Sequence, residues 1–258
     1  MCDAPECGKQ KVLSKEEVKM MLRFYFAIIK NIYRLPGIIG KMRSMIASDE
    51  YSEQERYEYL RYIARLMQKS GHIRTEVYGT ENLPKEGGYV MYPNHQGKYD
   101  AYGIVSGHEK PCTVVMDKDK SYTIFTREII DMVKGKRLDK NDVRQGFAIM
   151  NEITEEVKQG RRYMIFPEGY YDKGKKNTLI EFKAGCFKTS LNSKTPIVPV
   201  VLIDSYKAFN TSRPGKVTTQ VHFLEPIPYE DYKEMKTRQI AEMVHDRIQE
   251  KIAALGQN

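Results

Sequence analysis

The sequence is poor in cysteine and contains no long apolar run. Cysteine occurs four times in 258 residues, too rarely for the disulfide framework of a small secreted domain and without the paired spacing of a zinc site. We therefore expect a reducing, intracellular compartment. Cys2 and Cys7 share a short N-terminal stretch that suits either a metal site or, more simply, a tail, and they are given no role.

Targeting and membrane-spanning patterns are also absent from the sequence. No window reaches the ~18 apolar residues that a spanning helix needs, and the N-terminus lacks a signal-peptide pattern. We expect any membrane contact to be made from one side. A hydrophobic fraction of 41% and a charged fraction of 29% lie near globular averages, which excludes a disordered chain and a bundle of membrane spans. The length suits one catalytic domain.

Acidic residues are fewer than basic ones, and the formal net charge is +8. Such a chain favours partners that carry negative charge, namely nucleic acid, anionic lipid or a phosphorylated substrate. Charge alone does not choose among these three classes.

Residues 1–47 predict a pair of basic amphipathic helices. Ser14 suits an N-cap and Glu17 completes a capping box, while Pro36 and Gly37 are expected to break the helix in two. The pair could lie in the headgroup layer of an anionic membrane, or it could be an ordinary helix pair packed on the core. We predict membrane docking for 1–47 and one α/β catalytic domain for 48–258. The basic residues among the apolar ones are Lys15, Lys19, Arg23, Lys30, Arg34, Lys41 and Arg43.

After a predicted helix over 52–69, apolar runs and helical periods alternate. This alternation predicts an α/β fold with a largely parallel sheet flanked by helices. The predicted strands are 73–78, 89–92, 113–116, 163–166, 197–203 and 216–223. The predicted helices that follow the first strand are 122–132, 143–158, 183–191 and 238–255.

The most informative segment, Met91 to Asp100, lies at the end of a predicted strand. It holds His95 and Asp100, five positions apart. Such a pair alone is weak and fits a surface salt bridge. Its place on a turn at a strand end, however, lets an imidazole act as a base while the carboxylate fixes its tautomer. The remaining histidines have no such setting and are His72, His108, His222 and His245.

A second turn follows another apolar run, at Phe166-Pro167-Glu168-Gly169. Proline and glycine around one glutamate enforce a tight turn that could aim a carboxylate and backbone N–H groups into one cleft. Taken alone, a plain turn with an exposed glutamate is the simpler interpretation.

The two segments together resemble the 1-acyl-sn-glycerol-3-phosphate acyltransferases, also called lysophosphatidate acyltransferases. Their Asn-His-x4-Asp block corresponds to Asn94–Asp100 and their Phe-Pro-Glu-Gly block to Phe166–Gly169. Weaker similarities lie at 135–145, at 182–185 and at the apolar-Pro-apolar strand 198–200, so that the resemblance covers about residues 78–203.

The resemblance implies a direct acyl transfer from acyl-CoA or acyl-carrier protein to the free hydroxyl of 1-acyl-sn-glycerol 3-phosphate, giving phosphatidic acid for phospholipid biosynthesis. It makes His95 the general base and Asp100 its orienting partner. Glu168 would bind the glycerol portion, and N–H groups at Glu168 and Gly169 would stabilise the oxyanion. The residues implied in binding the acceptor phosphate are Arg137, Lys140, Arg144 and Lys183.

The resemblance also implies no cofactor, no metal and no nucleic-acid partner, and a peripheral or monotopic position on the cytoplasmic face of the membrane. The sequence departs from the family pattern in two places. Lys140 stands where the family usually has arginine, and Tyr170 and Tyr171 stand where many members have Thr-Arg. These departures leave the acceptor open, so another lysophospholipid or glycerol 3-phosphate remains an alternative.

Two other classes of protein are alternatives. A Ser-His-Asp hydrolase would need a Gly-x-Ser-x-Gly nucleophile elbow, and the sequence offers only the fragment at Ser106. A non-catalytic basic protein that binds lipid or nucleic acid would fit the charge, but no nucleic-acid motif occurs.

Overall fold

The computed structural model describes residues 22–123, 125–172, 174–209 and 215–256. The capping box predicted at Ser14 and Glu17, and the cysteines Cys2 and Cys7, lie outside these residues. Within them, seven strands form one sheet. The strands are β1 (Ile73–Tyr78), β2 (Tyr89–Pro93), β3 (Thr113–Asp117), β4 (Lys136–Leu138), β5 (Arg162–Met164), β6 (Ile197–Ile203) and β7 (Val217–Phe223).

The strand order across the sheet is β1-β7-β6-β2-β5-β3-β4. The five strands from β6 to β4 are parallel to one another. β7 is antiparallel to β6, and β1 is parallel to β7. The predicted, largely parallel sheet is therefore confirmed. The five parallel strands all end at one edge of the sheet, here called the carboxyl edge, at which β1 and β7 begin.

Helices cover both faces of this sheet. They are α1 (Leu22–Lys30), α2 (Leu35–Ala47), α3 (Glu53–Gly71), α4 (Asp100–Gly107), α5 (Lys118–Ser121), α6 (Thr126–Met132), α7 (Val143–Lys158), α8 (Lys188–Ser193), α9 (Tyr206–Phe209), α10 (Tyr229–Tyr232) and α11 (Thr237–Gly256). α7 lies where it was predicted. The helix predicted over 183–191 is instead a 3-10 turn, Ala184–Phe187, followed by α8.

The break between the two N-terminal helices lies earlier than predicted. α1 ends at Lys30, where the Asn31 side-chain amide donates to the carbonyl of Ala27 at 2.8 Å and to Ser70 Oγ at 2.6 Å. Pro36 does not break the helix, because it lies in the first turn of α2, where a missing N–H costs nothing. A side-chain cap, which the sequence pattern does not reveal, therefore ends α1.

The core lies on both faces of the sheet, as the alternation along β2 shows. Met91 packs on the face covered by α1 to α4, whereas Val90 and Tyr92 pack on the face covered by α7, α8 and α11. One side of the N-terminal helix pair belongs to the first of these clusters, through Ala27, Ile38, Met42 and Met45. None of the described helices is both long and apolar enough to cross a bilayer.

Candidate active site

His95 and Asp100 meet at the carboxyl end of β2, in the centre of the sheet. His95 Nδ1 lies 2.7 Å from Asp100 Oδ2, and the histidine side chain is 20% exposed while the aspartate side chain is fully buried. Asp100 is the first residue of α4. When Nδ1–H donates to this carboxylate, Nε2 carries the free lone pair. The pair is thus a buried, oriented dyad and not a surface salt bridge.

The Asp100 carboxylate accepts hydrogen bonds from three further donors. Oδ2 accepts from the backbone N–H groups of Gln96 at 2.6 Å and Gly97 at 2.9 Å, and Oδ1 accepts from Ser205 Oγ at 2.5 Å. Burying a carboxylate is costly unless its lone pairs are satisfied. Together with His95, these donors supply that compensation inside the fold.

The residues on either side of His95 fasten its loop to the end of β6. Asn94 Oδ1 accepts from the backbone N–H of Leu202 at 2.7 Å, and Asn94 Nδ2 donates to the carbonyl of Leu202 at 3.1 Å. Gln96 Oε1 accepts from the N–H of Ser205 at 2.8 Å. Gln96 Nε2 donates to Asn177 Oδ1 at 2.9 Å, which ties in the loop after Gly169. The position of His95 is therefore set from both sides.

The second predicted turn lies beside His95, because β5 is the neighbour of β2. The Gly169 N–H donates to the carbonyl of Phe166 at 3.0 Å and closes the turn. Gly169 has a φ of 71°, in the left-handed region that favours glycine. A Cβ built there would lie 2.8 Å from Lys183 Nζ, so the ammonium group of Lys183 lies over this turn.

Glu168 points inward from the turn and is 3% exposed. Its Oε1 accepts from the backbone N–H of His95 at 2.9 Å. Burial raises the pKa of Glu168 to about 8 and the charge of Asp100 adds to the rise, while the His95 hydrogen bond opposes it. At neutral pH this carboxyl group therefore retains its proton and can donate a hydrogen bond.

Two aromatic rings enclose the imidazole of His95. The ring centroid of Phe166 lies 4.3 Å away, and the ring of the half-buried Tyr171 lies 4.8 Å away in an edge-on arrangement. Lys120 Nζ lies 5.5 Å from the centroid of the Tyr171 ring. Tyr171 therefore contacts both the histidine and a lysine of α5.

Comparison with known proteins identifies the family of this chain. The family model for acyltransferases matches residues 74–203, which is half of the chain and includes both turns. The chain belongs to the acyltransferase family. It is 29% identical over 192 residues to the 1-acyl-sn-glycerol-3-phosphate acyltransferase of Saccharomyces cerevisiae, covering 71% of this chain and 61% of the yeast protein. It is 26% identical over 162 residues to the alpha form of Homo sapiens, covering 61% and 56%.

The chain thus matches less than two thirds of the length of these two relatives. It is also 29% identical over 172 residues to the 1-acyl-sn-glycerol-3-phosphate acyltransferase of Haemophilus influenzae. This match covers 65% of this chain and 70% of the Haemophilus protein. In fold it is similar to the crystal structure of PlsC, the 1-acyl-sn-glycerophosphate (LPA) acyltransferase of Thermotoga maritima. The TM-score is 0.74 at 17% identity, covering 94% of this chain and 97% of PlsC. At this identity the similarity shows a shared fold.

The other basic residues suggested by the family resemblance lie further along the carboxyl edge. Arg137 and Lys140 are near the end of β4, where they pair with Asp131 at 2.7 Å and Asp117 at 2.9 Å. Three strand spacings of ~4.8 Å separate β4 from β2, so the backbones are about 14 Å apart. Arg144 is exposed in the first turn of α7. Of the four predicted phosphate-binding residues, only Lys183 lies against the turn that contacts His95.

Several residues of the site were not found from the sequence. Ser205 follows the family match by two residues and reaches Asp100 only because β6 lies beside β2. The sequence does contain a signal for it, since polar residues just after a buried strand often line the site of a parallel sheet. Asn177 lies in a loop with no periodic pattern, and nothing in the sequence pointed to it.

Two of the other histidines have structural settings. His108 is fully buried and contacts the hydroxyl of Tyr89 at 2.6 Å and that of Tyr57 at 3.2 Å. Burial lowers the pKa of His108 to about 4. His245 lies 3.4 Å from Asp246 on α11, and this carboxylate is exposed. Among the described residues no group of three or more histidine, cysteine, aspartate or glutamate side chains could hold a metal ion.

Proposed function

We propose that this chain transfers a fatty acyl group from a thioester to the free hydroxyl of 1-acyl-sn-glycerol 3-phosphate, giving phosphatidic acid. The observation that carries the proposal is the buried, four-fold hydrogen-bonded Asp100, which fixes His95 with Nε2 available as a base. The names of the relatives support the same acceptor. In cells, the product would enter phospholipid biosynthesis.

In the proposed reaction, His95 Nε2 removes the proton of the acceptor hydroxyl as its oxygen attacks the thioester carbonyl. An ester C–O bond forms and the C–S bond breaks. The imidazolium, stabilised by Asp100, then returns the proton to the departing thiolate of coenzyme A or acyl-carrier protein. No covalent acyl-enzyme is formed. A positioned base of this kind contributes roughly 10² to 10⁴ in rate.

Glu168 and the turn around it supply the contacts next to the base. Because the Gly169 N–H already donates to Phe166, the N–H of Glu168 is the remaining candidate of the two for the developing oxyanion. The protonated Glu168 carboxyl would hydrogen-bond the glycerol portion. Lys183 is the nearest candidate for the acceptor phosphate, and Arg137, Lys140 and Arg144 would supply positive charge further along the edge.

The hydrolase alternative needs a serine hydroxyl that is hydrogen-bonded to His95 Nε2, and a serine does lie close to the dyad. Ser205, however, donates to the far oxygen of Asp100 at 2.5 Å, so that it lies on the wrong side of the carboxylate to be activated by Nε2. Ser106 donates to the carbonyl of Gly103 within α4. Direct transfer is therefore favoured.

We also propose that α1 docks on an anionic membrane at the cytoplasmic face. Apolar side chains on its outer side are exposed, with Ile29 at 63% and Tyr33 just beyond its end at 72%. Lys30 and Arg34 lie beside the rings of Phe26 and Tyr33. Such pairs suit the headgroup layer, where an apolar body and a cationic tip are both accommodated.

One residue of this predicted basic set must be corrected. Arg23 is buried and donates to the carbonyls of Gly71 at 3.0 Å and Gly215 at 2.6 Å. It therefore fixes α1 to the start of β1 and β7 and is not available to lipid headgroups.

The test is a transfer assay with labelled acyl-CoA or acyl-carrier protein and a panel of acceptors: lysophosphatidate, glycerol 3-phosphate and lysophospholipids. We expect lysophosphatidate to be preferred, and His95→Ala to lose at least about a hundredfold in rate. His245→Ala is the matched control, since that imidazole also has a neighbouring carboxylate but lies on an outer helix. Transfer by His95→Ala within about tenfold of the parent would show that His95 is not the base.

A further inference from the structure

We propose that Tyr122, Val143 and Phe147 form a second lipid-contacting surface, on the opposite side of His95 from α1. The inference rests on the membrane docking proposed above and extends it from the N-terminal helix to the α/β domain. We call these three residues the β4-side patch, because all of them adjoin the end of β4.

The β4-side patch consists of large apolar groups that are each more than half exposed. Tyr122, Val143 and Phe147 are 57%, 72% and 56% exposed. Val143 and Phe147 are four positions apart in the first turns of α7 and so share a face of that helix. The buried residues of α7 lie in its second half, at Ile153, Thr154 and Val157. Exposed apolar groups gathered in this way mark an interaction surface.

Cationic side chains accompany each part of the patch. The Arg137 guanidinium lies 4.9 Å from the Tyr122 ring, and Lys188 Nζ lies 5.3 Å from the Phe147 ring. Arg144, exposed, directly follows Val143.

Two acidic residues close by in the chain already have partners, while a third, Asp119, is exposed three residues before Tyr122. Asp139 pairs with Lys118 at 3.1 Å, and the Asp142 side chain accepts from the Gln145 N–H at 2.9 Å.

Arg137 is paired with Asp131, so the exposed cations at the patch are Arg144 and Lys188. Apolar groups beside exposed cations complement an anionic bilayer surface.

Sheet topology places the patch and α1 at the same edge. α7 starts directly after β4, so Val143 and Phe147 lie near the carboxyl edge. α1 is fixed at this edge too, because Arg23 bonds the residues that precede β1 and β7.

The two contact areas lie on either side of the base. The order β1-β7-β6-β2-β5-β3-β4 puts α1 near one end of the edge, the β4-side patch at the other, and His95 after β2 between them. Six strand spacings of ~4.8 Å give about 29 Å between the ends. A bilayer that touches both areas would face the site from which a lipid acceptor enters.

The experiment uses the absence of tryptophan from the sequence, because a single introduced tryptophan then reports on its own surroundings. Phe147→Trp tests the patch and Phe26→Trp reports on α1. Tyr78→Trp is the matched control, since Tyr78 is 46% exposed but ends β1 at the edge opposite to His95. Each full-length variant is mixed with phosphatidylglycerol–phosphatidylcholine vesicles, with and without brominated phosphatidylcholine.

We expect blue-shifted emission and quenching by brominated lipid for Phe147→Trp and Phe26→Trp, and neither effect for Tyr78→Trp. A response from Phe26→Trp alone would overturn the second surface while leaving docking through α1 intact. No response from either variant would overturn both proposals. A shift of Phe147→Trp on adding acyl donor or on raising the protein concentration, without vesicles, would assign the patch to the donor or to a second copy of the chain.

A second measurement asks whether the patch contributes to binding. The double variant Val143→Asp with Phe147→Asp should bind the anionic vesicles at least about tenfold more weakly, because two apolar contacts are lost and charge repulsion is added. Its activity on a short-chain, water-soluble acceptor should match that of the parent. Vesicle binding equal to that of the parent would overturn the proposal.

Discussion

Ser205 Oγ lies 2.5 Å from Asp100 Oδ1, on the carboxylate oxygen opposite to the one that holds His95. Ser205 is 2% exposed, so this hydrogen bond is shielded from water. The negative charge of Asp100 is therefore shared between the imidazole and a hydroxyl group that comes from more than a hundred residues further along the chain.

Ser205→Ala should lower kcat with little change in either KM, because Ser205 acts on the dyad through Asp100. Without this donor, Asp100 attracts the imidazole proton more strongly, so the acidic limb of the kcat/KM profile should move to higher pH. Ser205→Thr, which keeps the hydroxyl, should restore the parent profile in part. Ser106→Ala, in the same helix as Asp100, is the control. A Ser205→Ala enzyme that loses kcat with an unmoved pH profile would point to a purely structural role.

Tyr171 supplies a second positioning contact, edge-on to His95 at 4.8 Å. Tyr171→Leu should reduce kcat by about two- to tenfold, the range expected for losing one aromatic pair, whereas Tyr171→Phe should keep most of the rate. The comparison is made at saturating acceptor, so that binding does not contribute. Equal rates for the two variants would show that the aromatic ring of Tyr171 does not position the imidazole.

Lys120 is exposed beside the Tyr171 ring, and we expect it to act on the acceptor and not on the base. Lys120→Met should raise the KM for lysophosphatidate and leave the KM for the thioester unchanged, because a phosphate contact persists through the reaction. Lys158→Met is the control, since Lys158 ends α7 and lies at the edge opposite to His95. A change in kcat alone would contradict this assignment.

Glu168 should give the stability of the fold a specific pH dependence. Its pKa is raised from 4.5 to about 8 by burial first and by Asp100 second. Between these values the unfolded chain releases the proton while the folded chain retains it, so stability falls as pH rises and levels off above about 8. The parent should therefore lose stability relative to Glu168→Gln as pH rises, and urea midpoints measured from pH about 4 to 9 should show this loss. Glu225→Gln removes an exposed carboxyl group and is the control, so its urea midpoint should change with pH as that of the parent does. If Glu168 were ionised in the folded protein, the urea midpoint of Glu168→Gln would also change with pH as that of the parent does.

The sequence predicted the elements that carry long periodic patterns and the residues that stand in motifs. α7 and β6 were found at their observed bounds, and the family resemblance put Glu168 and His95 in one site. β4 was missed because three residues, Lys136–Leu138, show no alternation and pair with only one neighbour. Local patterns are reliable where an element buries its own apolar face and weak where a neighbouring element determines the structure.

What could not be predicted depends on which strands are neighbours. Asn94, Gln96 and Asp100 all form bonds to residues 202–205, but a sequence does not show that β6 lies beside β2. The predicted phosphate-binding block illustrates the same limit. Its members are close in sequence, yet β5 and β3 lie between the block and His95.

The N-terminal helices show why surface residues must be separated from core residues before docking is tested. Deleting everything before Ser48 would remove Ala27, Ile38, Met42 and Met45 from the core. The truncated chain is therefore expected to lose stability whether or not it binds lipid. Substitutions on the exposed side of α1 avoid this difficulty.

Ile29→Asp with Ile32→Asp should abolish flotation with anionic vesicles while leaving the urea midpoint close to that of the parent, because these side chains are 63% and 61% exposed. Arg23→Ala should lower the urea midpoint and leave flotation unchanged. The Arg23 guanidinium donates to two backbone carbonyls inside the fold, and losing a buried partner costs about 1–3 kcal/mol. The parent should float less well with neutral vesicles or at high salt, as exposed charges are screened beyond ~10 Å at 0.1 M. If the double aspartate variant floats as the parent does, the exposed side of α1 is not the docking surface.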